Sequence, residues 1–354
     1  MQHAIILANG AYESPNGKVA HGLVRGSDRF RVRAIVDPAS SGRDAGELLD
    51  GRHRDIPVLD SVSAAVAAAD GAAEWAIVGA AFHGGRFTQE LRAEARAALE
   101  AGLHLVNGLH DWAGEDPELA AAARQGGADI LDLRKPPRID SLHFWTGEID
   151  QVRAPRIAVL GMDCAIGKRT TTRLLVQGLN ERGRRAEMIY TGQTGWLQGG
   201  RYGFVFDATP NDYVSGELEH AILACAREAD PEVMLLEGQS GLRNPSGPCG
   251  AEFLLSGGAD TVVLQTDPKR THYDGLEEAG YRLPSVADEI DLIRRYGAET
   301  VAVTLRADPT DPEVATTRDR LREEIGIPVL CPLQEELDPI LEAIEARIDQ
   351  EARK

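Results

Sequence analysis

The chain has 354 residues, 43% of them hydrophobic and 27% charged. At about 150 residues per domain that length asks for two cores, and the apolar content excludes wholesale disorder. Thirty-eight basic residues against 56 acidic ones leave a formal charge of −18, a field that excludes nucleic acid and anionic membranes as partners and leaves anionic small molecules to a local positive pocket.

The chain opens on Ala4-Ile5-Ile6-Leu7-Ala8, a first strand, and no apolar run reaches the ~18 residues of a membrane helix. A cytoplasmic protein is expected. In the first half, strands are predicted at 3–8, 32–36, 56–59, 75–78, 103–106 and 129–131, and helices at 61–70, 88–101 and 117–125. That alternation predicts an N-terminal Rossmann-like, doubly wound α/β domain over 1–137. Prolines at Pro136-Pro137 and Pro155 bracket a linker over 138–155.

A second alternating series fills 156–354. Strands are expected at 157–160, 186–190, 233–236, 261–265, 300–305 and 328–330, with helices at 168–182, 215–228, 286–295, 312–324 and 339–350. A second parallel α/β domain is expected, of P-loop NTPase type by the Gly161–Lys168 turn that follows its first strand. Cys164, Cys225, Cys249 and Cys331 are scattered without CxxC spacing, so reduced thiols and no metal-binding cluster are expected.

The turn after the second domain's first strand carries the strongest signal. It runs Gly161-Met162-Asp163-Cys164-Ala165-Ile166-Gly167-Lys168 and leads into Arg169-Thr170-Thr171-Thr172. Glycines let main-chain N–H groups point inward, a helix N-terminus adds positive potential, and the lysine reaches the outer phosphates. The phosphate-binding set is therefore Gly161, Asp163, Ala165, Ile166, Gly167, Lys168, Arg169, Thr170 and Thr171. Lysine is scarce here, with five among the 38 basic residues. Five residues separate the glycines instead of the usual four, the spacing of the dethiobiotin synthetase branch. Arg169 stands where a Ser or Thr hydroxyl would hold Mg²⁺, leaving that role to Thr170 or Thr171.

Glu237 ends the strand at 233–236, where P-loop folds keep a carboxylate. Between the two, Thr191-Gly192-Gln193-Thr194-Gly195 offers adaptable contacts, and Asp207 and Asp212 are further acids at a strand edge and a helix start. Arg243 and the Asp267-Pro268-Lys269-Arg270-Thr271-His272 turn bring cations to the same edge. The first domain lacks a GxGxxG fingerprint after Ala8-Asn9-Gly10. Asp37 stands where a ribose-binding acid would lie but also suits an ordinary Asp-Pro turn. Asn16-Gly17-Lys18, Gly84-Gly85-Arg86 and Asn107-Gly108-Leu109-His110 are loops that a ligand could use; His83 and His110 could carry protons there, although a lone loop histidine is more often structural.

Taken together, Asn16-Gly17-Lys18, Gly84-Gly85-Arg86, Gly108-Leu109-His110, Asp132-Leu133-Arg134-Lys135-Pro136-Pro137, the Gly161–Lys168 loop, Thr191-Gly192-Gln193-Thr194-Gly195, Asp207-Ala208 and Glu237-Gly238-Gln239 resemble a family. It is the two-domain family catalogued as domain of unknown function 1611, with members assigned as D-glutamate N-acetyltransferases. The resemblance implies acetyl transfer from acetyl-CoA to the amine of a D-amino acid. Lys168 and its loop would hold donor phosphates. Asp207, Asp212 or Glu237 would act as base. Thr191, Gln193, Thr194 and Gln239 would contact the amino acid, with Arg134, Arg243 and Arg270 as forks for its carboxylates. Two alternatives stay open: an ATP- or GTP-dependent, Mg²⁺-requiring ligase or kinase acting on a carboxylate, and a nucleotide-binding switch. A homo-oligomer is compatible with all three.

Overall fold

The computed structural model describes residues 1–353, and the His83 side chain is outside that description. The chain divides into two compact units. One is Met1–Pro137 together with Gln193–Gly199, and the other is Arg138–Gly192 together with Gly200–Lys354.

The first unit is a parallel sheet of β1 (Gln2–Leu7), β2 (Phe30–Val36), β3 (Val58–Leu59), β4 (Trp75–Val78), β5 (His104–Asn107) and β6 (Ile130–Asp132). Its order is β3-β2-β1-β4-β5-β6, so the winding direction reverses between β1 and β4, where a crevice opens at the strands' carboxyl ends. Its helices are α1 (Lys18–Arg25), α2 (Ala45–Asp50), α3 (Val62–Ala68), α4 (Gln89–Glu100) and α5 (Pro117–Gly126). Alternation along β1 explains the layering: Ile5 and Leu7 enter one core with α3, α4 and α5, while Ala4 and Ile6 enter the other with α1. On α4 the buried residues are Leu91, Ala95, Ala98 and Leu99, one helical stripe, and the Thr88 side chain caps the helix through Leu91 N–H.

In the second unit the order is β13-β12-β11-β7-β10-β8-β9, again all parallel. In chain order the elements are β7 (Arg156–Gly161), α6 (Lys168–Glu181), β8 (Ala186–Tyr190), α7 (Gln193–Leu197, which belongs to the first unit), β9 (Tyr202–Gly203), α8 (Asn211–Ala229), β10 (Val233–Glu237) and α9 (Ala251–Leu255). There follow β11 (Thr261–Thr266), α10 (Val286–Arg295), β12 (Glu299–Leu305), α11 (Pro312–Ile325), β13 (Val329–Leu330) and α12 (Asp338–Glu351). Ala158 and Leu160 of β7 pack with α8 and α10, whereas Ile157 and Val159 pack with α6 and α12. The short α1, α2, α7 and α9 carry too few periodic residues to stand out in the sequence.

Two segments are placed by long-range contacts. Residues 138–155 are built onto the second unit: buried Glu219 accepts hydrogen bonds from Thr146 N–H, the Thr146 hydroxyl and Ile149 N–H, and Ile149 and Val152 enter the core. Gln193–Gly199 instead packs in the first unit. There Leu197 joins the core on the α1 side, the Arg29 guanidinium lies 4.1 Å over the Trp196 ring, and the Gln198 side chain donates to the carbonyls of Gly22 and Gly26. Among the described residues no helix is long and apolar enough to cross a membrane.

Candidate functional site

The β7–α6 turn is shaped by its glycines. A Cβ on Gly161 would lie 2.8 Å from Lys168 Cδ, so the lysine stem can cross the strand end only because Gly161 has no side chain. Gly167 has φ +102° and Ala165 has φ +53°, left-handed values that turn successive peptides and favour glycine. Gly167 is the N-cap of α6 and supplies no side-chain cap, so the helix presents first-turn N–H groups of the kind that anions satisfy.

Lys168 is 7% exposed, and its ammonium donates to the carbonyls of Asp163 at 2.6 Å and Ser240 at 2.8 Å. Burial lowers its pKa, opposed by the nearby Cys164, Cys249, Asp163 and Glu237. Glu237, at the carboxyl end of the neighbouring strand β10, is 4% exposed. Burial raises its pKa, opposed by the charge of Arg169, the N–H groups of Thr191 and Gly192, and the charge of Lys168. The Thr191 hydroxyl donates to Glu237 O and accepts from Gln239 Nε2. Thr191 N–H is directed at Glu237 Oε2 at 3.1 Å, so this turn holds the carboxylate. Thr171 donates to Gln265 Oε1, which Thr304 shares, and the following Thr172 hydroxyl bonds back to Lys168 O. Cation, carboxylate and glycine turn thus meet at one strand edge.

Asp163 is the staple of the loop. It is fully buried, and its two oxygens accept from Cys164 N–H, Asn244 Nδ2, Arg270 Nη1 and Asp274 N–H at 2.7–2.9 Å. Arg270 also donates to Cys164 O, so its guanidinium fixes the loop's outer wall. Arg243 is joined to buried Glu289 at 2.7 Å. Asp207 and Asp212 are exposed, in the turn before α8 and in its first turn.

The remaining predicted residues lie in the first unit. Gln193 and Thr194 are buried there, 6% and 3% exposed, and Arg134 Nη1 donates to Gly108 O at 2.8 Å. Lys18 is exposed at the start of α1, and Asp37 is fully buried, accepting from Tyr12, Ala39 and Ser40 N–H. Its oxygens cap a turn and do not face a ribose. Gln265 and Asn244 were not among the predicted contacts. Gln265 had a signal, a polar side chain near the end of an otherwise apolar strand, whereas Asn244 is recognisable only once Asp163 is seen beside it. Among the described residues no three His, Cys, Asp or Glu side chains are grouped to hold a metal.

Comparison with known proteins matches residues 143–341 to the P-loop domain of the DUF1611 family and residues 38–136 to its Rossmann-like domain, both described as domains of unknown function. The chain belongs to the DUF1611 family. A crystal structure of a DUF1611 family protein from Anabaena variabilis superposes with a TM-score of 0.87 at 26% identity, covering 98% of this chain and all of that one. Two curated relatives carry the name D-glutamate N-acetyltransferase. The one from Tritonibacter scottomollicae is 28% identical over 278 residues, 76% of this chain and 80% of that protein. The other, from Pseudoalteromonas sp, is 28% identical over 273 residues, 75% of this chain and 79% of that one.

Proposed function

We propose that the chain is an N-acyltransferase that moves an acetyl group from acetyl-CoA to the amine of D-glutamate or a closely similar amino acid. The names of the two relatives support the reaction class. The observation that carries the choice of donor is Arg169. It replaces the usual metal-binding hydroxyl, and its charge opposes the burial that raises the Glu237 pKa. With Arg169 at that position the side chain after Lys168 brings a positive charge where the usual loop brings a metal-binding oxygen, and a guanidinium near the carboxylate suits a donor bound without metal.

Coenzyme A carries a pyrophosphate and a 3′-phosphate, and its thioester supplies the acyl carbon. Fit to such an anion rests on the left-handed Ala165 and Gly167 and on the α6 N-terminus without a side-chain cap. Lys168 and Arg169 contribute positive charge, and the hydrogen bonds of Asp163 hold the loop in one shape. Glu237 takes the amine proton as the N–C bond forms and the C–S bond breaks, and passes that proton to the departing sulfur, which leaves as thiol. Burial suits it to that role, because a carboxylate with a raised pKa is a stronger base.

The test is to incubate the protein with acetyl-CoA or ATP plus a panel of D- and L-amino acids while following free thiol and phosphate in parallel. Thiol release that needs an amino acid and persists in EDTA is expected. Amino-acid-dependent phosphate release that requires Mg²⁺ would establish the ligase instead, and slow phosphate release indifferent to amino acids the nucleotide switch.

A further inference from the structure

The first unit holds a polar group that packing alone leaves incomplete. Gln193 is 6% exposed, yet its Oε1 is buried without a hydrogen-bond partner. Native proteins pair buried acceptors almost everywhere, and an exception marks a place that something else completes. The oxygen lies against the main chain of Gly108, 2.3 Å from where a Cβ would stand, so any other residue at 108 would displace the amide. On the same residue, Arg134 Nη1 donates to the carbonyl oxygen. Amide and guanidinium therefore flank one peptide at the carboxyl end of β5.

The neighbourhood is built to stay fixed. Fully buried Asn107 donates to Asp111 O and Asp132 Oδ1 and accepts from Leu109 N–H, which sets the turn after β5. His110 N–H donates to Gly85 O at 2.7 Å, and the exposed imidazole lies against Gly85, whose φ is +63°. The carboxyl edge of a parallel sheet is where such folds receive ligands.

We propose that this edge of the first unit is the acceptor amino-acid site: Gln193 Oε1 accepts a hydrogen bond from the substrate's amino group, and Arg134 supplies the positive charge that faces its carboxylate. An orphaned acceptor requires an N–H or O–H donor, which the amino group provides and a bare carboxylate does not. The choice of amino acid rests on the acetyl-transfer reading; the site itself does not.

The test is calorimetric titration of the full chain, without acetyl-CoA, with D-glutamate and with glutarate, the same dicarboxylate lacking the amine. The wild type is expected to prefer D-glutamate by about tenfold or more, the weight of one hydrogen bond to a charged group. Gln193→Leu and Gln193→Met should each erase that preference while leaving glutarate within about twofold, and Arg134→Met should weaken both ligands. Equal wild-type affinity for the two compounds, no binding of D-glutamate, or an unchanged preference in a Gln193 variant that melts as the wild type does would each overturn the site. The wild-type comparison needs no variant to fold. Absence of thiol release with bound D-glutamate would count against acetyl transfer alone and leave the site standing.

Discussion

Both units begin with a buried strand running into a turn and a helix, yet the two turns have opposite polarity. After β1 the chain takes a detour before α1, and Gly17 at that helix's N-cap faces the carbonyl oxygens of Ala11 and Tyr12, which a Cβ would meet at 2.7 and 2.9 Å. Acceptors crowd the place where a phosphate would need donors. After β7 the turn goes straight into α6, its glycine is left-handed, and a buried ammonium lies across it. On one α/β plan, the helix start of the second unit has the glycine turn an anion cradle needs, whereas carbonyl oxygens face the helix start of the first. The difference resides in which main-chain atoms face the helix start.

The largest effect expected from this contrast is at the two lysines that open the helices. Lys168→Ala should lower turnover with acetyl-CoA by about 100-fold or more, the scale for losing a charged donor at a reacting anion. Lys18→Ala should stay within about twofold of wild type, and steady-state kinetics on both variants would break the comparison if Lys18 mattered as much.

Next come the buried acids. Asp163→Ala removes the buried carboxylate that pairs with Arg270 and accepts from Cys164, Asn244 and Asp274, and should destabilise the second unit by about 3 kcal/mol in urea unfolding. Asp37→Ala removes an acceptor for three N–H groups and should cost the first unit about 1–3 kcal/mol without affecting donor binding.

A smaller effect separates the units by pH. Burial raises the Glu94 carboxyl from 4.5 to about 7, eased by a hydrogen bond from Asn9 Nδ2. Because the folded state holds this proton more tightly than the unfolded one, stability is greatest below the unfolded value and is lost as pH rises through about 7. Glu94→Gln should therefore be more stable than wild type at pH 8 by about 1–2 kcal/mol, and the gap should close near pH 4. In the second unit the proposed base, Glu237, has a pKa raised by burial, so the acidic limb of kcat should lie above the ordinary carboxylate range and vanish in Glu237→Gln along with most activity. Smallest is Arg169→Thr, which restores a hydroxyl; modest loss without metal and partial recovery with Mg²⁺ are expected.

What the sequence made legible was local. Strand, glycine loop and lysine stand in one run, so the shape of this turn could be read from adjacent residues, and the alternating apolar pattern located both sheets. Asp163 was legible as a loop member but not as its staple, since its partners Asn244, Arg270 and Asp274 come from two distant turns. Gln193–Gly199 reads as an ordinary loop of the second half, because nothing in seven residues tells which core will receive Trp196 and Leu197. Residues 138–155 read as a linker because prolines bracket them, while Glu219, the carboxylate that binds the segment, lies about seventy residues on.

The central claim is tested most directly by titrating acetyl-CoA into the wild type and Lys168→Ala in the presence of EDTA. Binding by the wild type that weakens by about tenfold or more in the variant is predicted. Equal binding by both proteins, or wild-type binding that appears only when Mg²⁺ is restored, would contradict it.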